Sequence, residues 1–150
     1  MGGEKVVQEL CSDYLIARPS VLYGWHPKPN FVTWVIKELR QGHRINIVRD
    51  QFNSPTLADN LMDLILELIG RRETGIYHTS GSERINRLKF AIKIADAFNL
   101  DRNLINPVTP DELNWVAKRP MDSSLDISKM SVIKKPLNIE ESLKAMRKQE

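Results

Sequence analysis

Short apolar runs alternate with amphipathic segments along nearly the whole chain, and that alternation leaves few folds open to it. Asp13-Tyr14-Leu15-Ile16-Ala17-Arg18 reads as a short, largely buried strand, stopped by Pro19, which has no N–H to give a ladder. Ile45–Val48 alternates as a second strand, Gly75–Thr79 gives a third and Leu104–Val108 a fourth. Between the first two, Phe31, Val32, Val35, Ile36 and Leu39 recur at helical spacing, with Asn30 suited to the N-cap and Gly42 to the stop. Asp50–Pro55 reads as a polar loop. Thr56-Leu57-Ala58-Asp59 then has the spacing of a capping box with Asp for Glu, predicting an apolar helix through Ile69 that Gly70 ends. A helix from about Arg87 to Phe98 is expected to turn Leu88, Ala91, Ile92 and Ala95 inward. Further helices are expected over 4–11, near 128–133 and over 139–148. Strands alternating with helices predict an α/β architecture, read as one domain over residues 1–150.

Composition removes several function classes. No run approaches the roughly 18 apolar residues of a bilayer span, and the N-terminal residues lack an apolar signal core, so a cytoplasmic location without membrane partners is expected. Cys11 is the sole cysteine, which rules out an internal disulfide; its place in the run Val6, Val7, Leu10 predicts a buried small hydrophobe. His26, His43 and His78 have no metal-ligand spacing, so no metal site is expected, and His78 is read as a structural residue of its strand. The formal net charge of +3 suits an anionic small ligand as well as a nucleic acid. The tail bases Lys134, Lys135, Lys144, Arg147 and Lys148 are interspersed with Glu140 and Glu141, as on a solvated helix face, and nucleic acid is not an expected partner.

Four strings carry more than architecture. They are Arg18-Pro19-Ser20-Val21-Leu22-Tyr23-Gly24; Asp50-Gln51-Phe52-Asn53-Ser54-Pro55-Thr56 with Asp59-Asn60-Leu61; Gly75-Ile76-Tyr77-His78-Thr79-Ser80-Gly81; and Lys118-Arg119-Pro120 through Ser124-Leu125-Asp126-Ile127-Ser128-Lys129. In this order they resemble the C-terminal half of extended short-chain dehydrogenases/reductases, most nearly the dTDP-4-dehydrorhamnose reductase family. The second and fourth strings are the discriminating ones, because epimerases of the superfamily carry a different segment after Val48-Arg49-Asp50. One departure is Asn53 at a usual glycine, which a left-handed turn there would tolerate. The resemblance implies the C-terminal substrate-binding portion of an NAD(P)-binding Rossmann-type fold, with Gly3-Glu4 matching a pair that follows the catalytic Y-x-x-x-K. The catalytic Tyr and Lys, and the Gly-rich cofactor turn, would then belong to an N-terminal Rossmann half missing from these residues, and the chain alone is expected to be inactive.

The same resemblance implies roles for individual residues. Arg49 and Arg119 would approach the diphosphate of a nucleoside-diphosphate sugar such as a dTDP-sugar; guanidinium groups suit that task because they bind phosphate oxygens in pairs. Asn30 matches a nucleotide-contacting position, or is an N-cap and nothing more. Gln51, Pro55 and Thr56 would shape the nucleotide side of the pocket, with Thr56 alternatively a helix cap. Arg18, Pro19 and Ser20 would lie beside the nicotinamide of an NADPH bound by the full-length parent, unless Arg18 is a structural ion-pair residue. Trp25 and Trp115 are core residues or walls for a sugar or base. No residue of this chain is assigned a catalytic role. Similar proteins also serve as the regulatory subunit of methionine adenosyltransferase, which leaves a non-catalytic binding role as the alternative. A strand 13–18 without its upstream neighbours would leave an unpaired edge, predicting self-association into a homo-oligomer.

Overall fold

A computed structural model of the chain describes residues 2–112 and 119–150. The elements are α1 (Gly2–Leu10), β1 (Leu15–Arg18), β2 (Leu22–Tyr23), α2 (Phe31–Arg40), β3 (Ile45–Val48), β4 (Phe52–Asn53), β5 (Thr56–Leu57), α3 (Ala58–Gly70), β6 (Gly75–His78), β7 (Ile85–Asn86), α4 (Arg87–Ala97), β8 (Ile105–Val108), α5 (Ser128–Ile133) and α6 (Ile139–Arg147). This is the α/β order that the periodicity predicts. The strands pair two by two: β1 with β6, β2 with β5 and β3 with β8 run parallel, and β4 with β7 antiparallel. Each parallel pair brings together strands distant in sequence, with helices in the intervening connections.

Two apolar clusters hold these pieces. The larger joins Val32, Val35, Ile36 and Leu39 of α2 to Phe90, Ala91, Ile94 and Ala95 of α4 and Ile139, Leu143 and Met146 of α6. The smaller packs Leu64 and Leu68 of α3 on Tyr77 of β6 and Met130 of α5. Helix α4 lies between α2 and α6, so its buried arc is wide: Phe90 and Ile94 are fully enclosed, whereas the expected inward residues Leu88 and Ile92 are half-buried beside the core. Asn30 caps α2 with a full capping box, its Oδ1 accepting from the Val32 and Thr33 amides while the Thr33 hydroxyl accepts from the Asn30 amide.

Several local expectations give way to packing. Thr56 does not cap α3; it lies in β5, its hydroxyl donates to the Ser54 carbonyl and accepts from the Gly81 amide, and Leu57 is the uncapped N-cap residue. Gly70 is still helical, and the positive φ of 57° that ends the turn falls on Arg72. The segment 50–55 is not a solvated loop: Gln51, Asn53 and Ser54 are buried, because β4 is paired on one side with β7 and bonded on the other to the 121–123 stretch. Asn53 occupies an extended strand position there rather than a left-handed turn. At the other end of the chain, β1 is only half-buried, α1 buries no residue and Cys11 is exposed, since nothing among the described residues covers the α1 face bearing Val6, Val7 and Leu10.

Candidate functional site

The local order around segment 51–57 decides where the charged side chains end up. The Gln51 carbonyl accepts from the Arg87 amide at 3.0 Å, tying the start of α4 to β4. On the opposite side of β4, the Phe52 amide donates to the Met121 carbonyl at 2.8 Å and the Ser123 amide to the Phe52 carbonyl at 3.0 Å. Arg84 reinforces this join, its guanidinium lying 3.8 Å from the Phe52 ring centre and donating to Asp122 at 2.8 Å. Asp122 also accepts from the Ser124 hydroxyl and amide, and these bonds, with Arg84, hold its carboxyl down at about 2. The 119–125 segment is thereby drawn across β4, bringing Arg119 next to Arg87.

The two arginines open onto a cavity of about 220 Å³ shared with Phe31, Trp34, Asn46 and Val48. Its wall is aromatic: Phe31 stacks on Phe90 with ring centres 5.7 Å apart and lies 6.1 Å from Trp34. The Arg87 guanidinium sits 4.5 Å over the Phe31 ring. Burial pulls the Arg87 pKa down from its usual value, and the neighbouring charge of Arg119 adds to this. An aromatic wall beside two guanidinium groups is chemically matched to a planar base joined to phosphate, since stacking and paired N–H···O bonds act on adjacent parts of one ligand.

Of the ligand-contact candidates singled out from the sequence that fall among the described residues, Arg119 alone lines this cavity. Arg49 is exposed one residue beyond Val48, near enough to Glu112 to help lower that carboxyl, whose main bonds are to Thr109. Asn30 spends its side-chain amide on the Gly24 carbonyl and its oxygen on the α2 cap, next to a separate recess of about 260 Å³ under Tyr23 and Trp25. Gln51, Pro55 and Thr56 are buried behind the site, and Gln51 acts on it through its carbonyl. Arg18 forms a two-bond pair with Glu4 at 2.9 and 2.5 Å, and the Ser20 hydroxyl donates to the Ser123 carbonyl at 3.4 Å; Pro19 is exposed beside them. Trp25 donates to the Met146 carbonyl at 2.9 Å and meets Phe98 edge-on, tying the β2–α2 connection to α6. The His78 imidazole bonds the Asp126 carbonyl at 2.9 Å. Trp115 and Lys118 lie outside the described residues. No group of metal-ligating side chains forms among the described residues.

Arg87 belongs to none of the four strings, although the sequence carries a signal for it. It opens a helix whose first turn has no acidic residue, the reverse of what the helix dipole favours.

Comparison with known proteins bears on the family and the fold. A probable low-salt glycan biosynthesis reductase of Haloferax volcanii is 30% identical over 84% of this chain and 43% of its own length. The methionine adenosyltransferase 2 subunit beta of Xenopus tropicalis is 31% identical over 87% of the chain and 41% of its own. The dTDP-4-dehydrorhamnose reductase of Bacillus anthracis, solved in complex with NADP, superposes with a TM-score of 0.90 at 31% identity, covering 99% of this chain and 53% of that one. The chain thus spans about half the length of the proteins it matches. Its fold is that of the C-terminal portion of extended short-chain dehydrogenases/reductases. The profile of the RmlD substrate binding domain matches residues 1–150, and the chain belongs to that family.

Proposed function

We propose that this chain is the substrate-binding portion of an NADPH-dependent sugar-nucleotide reductase, taking a nucleoside-diphosphate sugar of the dTDP-4-keto-sugar class. The observation that carries the reading is the cavity that Arg119 lines together with the Phe31 and Trp34 rings. The base would lie on the aromatic wall, the diphosphate at the arginines, and the sugar would extend away from them. Arg49, one residue past the cavity-lining Val48, is a second candidate for the far end of the diphosphate.

Reduction of a keto-sugar needs hydride from the nicotinamide and a proton for the developing alkoxide. The residues nearest the expected cofactor edge do not by themselves make a dinucleotide cradle: Arg18 is engaged by Glu4 and Ser20 by the Ser123 carbonyl. We therefore assign the chain binding and orientation of the sugar nucleotide, and no chemical step. A Rossmann half carrying the Tyr–Lys pair would pack where α1 shows Val6, Val7 and Leu10 and where β1 has one edge without a partner strand among the described residues. Calorimetric titration with dTDP tests the binding role. Micromolar to millimolar binding that Arg119→Ala weakens supports it, and absence of heat at millimolar dTDP refutes binding by this chain.

A non-catalytic binding role, like that of a regulatory subunit, has one observation in its favour. Met62, Leu66 and Ile69 of α3 are 55%, 58% and 57% exposed and fall along one helix face, an apolar surface suited to a protein partner. Failure of dTDP to bind would turn the argument toward this reading.

A further inference from the structure

We infer that Arg87 is a phosphate ligand, closing with Arg119 a two-guanidinium clamp on the diphosphate of the ligand in the Phe31–Trp34 cavity. This rests on the sugar-nucleotide reading only for the identity of the base; the clamp itself follows from the charges.

Three features of Arg87 are unfavourable without an anion and favourable with one. It is half-buried, so its charge has lost part of its hydration. It faces a second guanidinium, Arg119, across the same cavity. It also occupies the first position of α4, an 11-residue helix with no acid in its first turn, so a cation stands at the positive end of the dipole. No carboxylate pairs with Arg87 among the described residues. A pyrophosphate between the two arginines would supply opposite charge to all three interactions at once.

The side chain is also held ready. Its backbone amide is fixed to the Gln51 carbonyl, Asn86 caps the helix behind it, and its guanidinium lies over Phe31. A guanidinium that lies flat on a ring keeps its in-plane N–H groups for hydrogen bonds, and arginine binds phosphate oxygens in pairs through those groups. A lysine could deliver the charge there but not the fork.

The test uses Arg87→Met, which keeps an unbranched side chain on Phe31 and removes the charge, beside Arg87→Lys and Arg119→Ala. Each is titrated calorimetrically with inorganic pyrophosphate, dTDP and thymidine, and its melting temperature is taken without ligand. The expected result is a roughly ten- to hundredfold weakening of pyrophosphate and dTDP in R87M, the size of a lost charge-assisted bond. R87K should lose less, and R87M should melt no lower than wild type. Unchanged pyrophosphate and dTDP affinity in R87M, with Arg119→Ala impaired, overturns the clamp and leaves the nucleotide reading standing. Pyrophosphate binding that depends on Arg87, with dTDP no tighter than pyrophosphate and thymidine inert, upholds the clamp and removes the nucleotide. If wild type binds neither anion, or R87M melts well below wild type with binding intact, Arg87 is a packing residue and the inference falls.

Discussion

Gly81 is the point at which the smallest change should do the most damage. A Cβ built on it would lie 2.0 Å from the Pro55 carbonyl oxygen and 3.2 Å from the Pro55 carbonyl carbon. Its amide donates to the Thr56 hydroxyl at 3.2 Å, and the next residue, Ser82, donates from its amide to the Leu137 carbonyl at 3.1 Å. Three segments therefore meet at this glycine: the exit from β6, the 51–57 stretch and the approach to α6. The clash is with the backbone of a buried residue, so no rotamer change relieves it, and an alanine must push the segments apart to reach ordinary contact. Overpacking of this kind costs about 1–3 kcal/mol, and loss of the Gly81–Thr56 bond about 1 more.

We expect Gly81→Ala to destabilise the chain by about 3 kcal/mol, or roughly 6–12 °C in Tm for a chain of this size. Gly70→Ala is the internal control. It lies at the end of α3 with no atom within 4 Å of where its Cβ would stand and no positive φ. Alanine there should be neutral or stabilise by about 0.5 kcal/mol through helix propensity. Urea and thermal unfolding followed by circular dichroism give both values. Equal stabilities for Gly81→Ala and wild type would refute the steric argument, and a comparable loss for Gly70→Ala would show that the effect is not local.

The Tyr23 hydroxyl is buried without a well-formed hydrogen bond, so Tyr23→Phe should leave stability at neutral pH unchanged or slightly raised; a loss above about 1 kcal/mol would contradict this. Burial pushes the same phenol from 10.0 up to about 12, the nearby Ser142 side chain offsetting it in part. The neutral form is thus favoured by folding: its contribution is complete below pH 10 and lost between pH 10 and 12, a fall of about 3 kcal/mol that Tyr23→Phe should abolish in Tm-versus-pH curves. Asp122 is the opposite case, its carboxyl lowered to about 2 by Ser124 and then Arg84, so its contribution is present above about pH 4 and lost as pH falls toward 2. Asp122→Asn should flatten part of that acid limb, and an unaltered slope would sink the assignment. Finally, the uncovered α1 face predicts self-association, and a chain with Val6, Val7 and Leu10 replaced by Ser should be less associated than wild type in sizing with light scattering; a strictly monomeric wild type at high concentration would count against it.

What the sequence made legible follows from how local each cause is. Asn30 caps its helix through bonds to residues two and three positions on, and it is readable as a cap because nothing distant among the described residues competes for its side-chain oxygen. Thr56 has an equally good local signature and does something else. The Ser54 carbonyl and the Gly81 amide claim its hydroxyl first, and Gly81 reaches it only because β6 returns through the fold. The same reasoning covers α4, whose inner face cannot be read from periodicity once two neighbouring helices cover it, and Cys11, whose burial would require a surface that no described residue provides.

The cavity sits at the far end of this scale. Phe31, Trp34, Val48, Arg87 and Arg119 come from four separate stretches of chain, and they meet because β4 bonds to the α4 start on one side and to 121–123 on the other. Motif matching finds Arg119 because it lies in a recognisable string, and passes over Arg87 because Ile85-Asn86-Arg87 belongs to none. Yet the electrostatic oddity of Arg87 is written in the chain: a cation stands where a helix favours an acid, directly after a good N-cap. A residue held against its own electrostatic preference requires some other interaction to justify it; no carboxylate among the described residues pairs with Arg87, and a bound anion in the cavity would supply the missing charge.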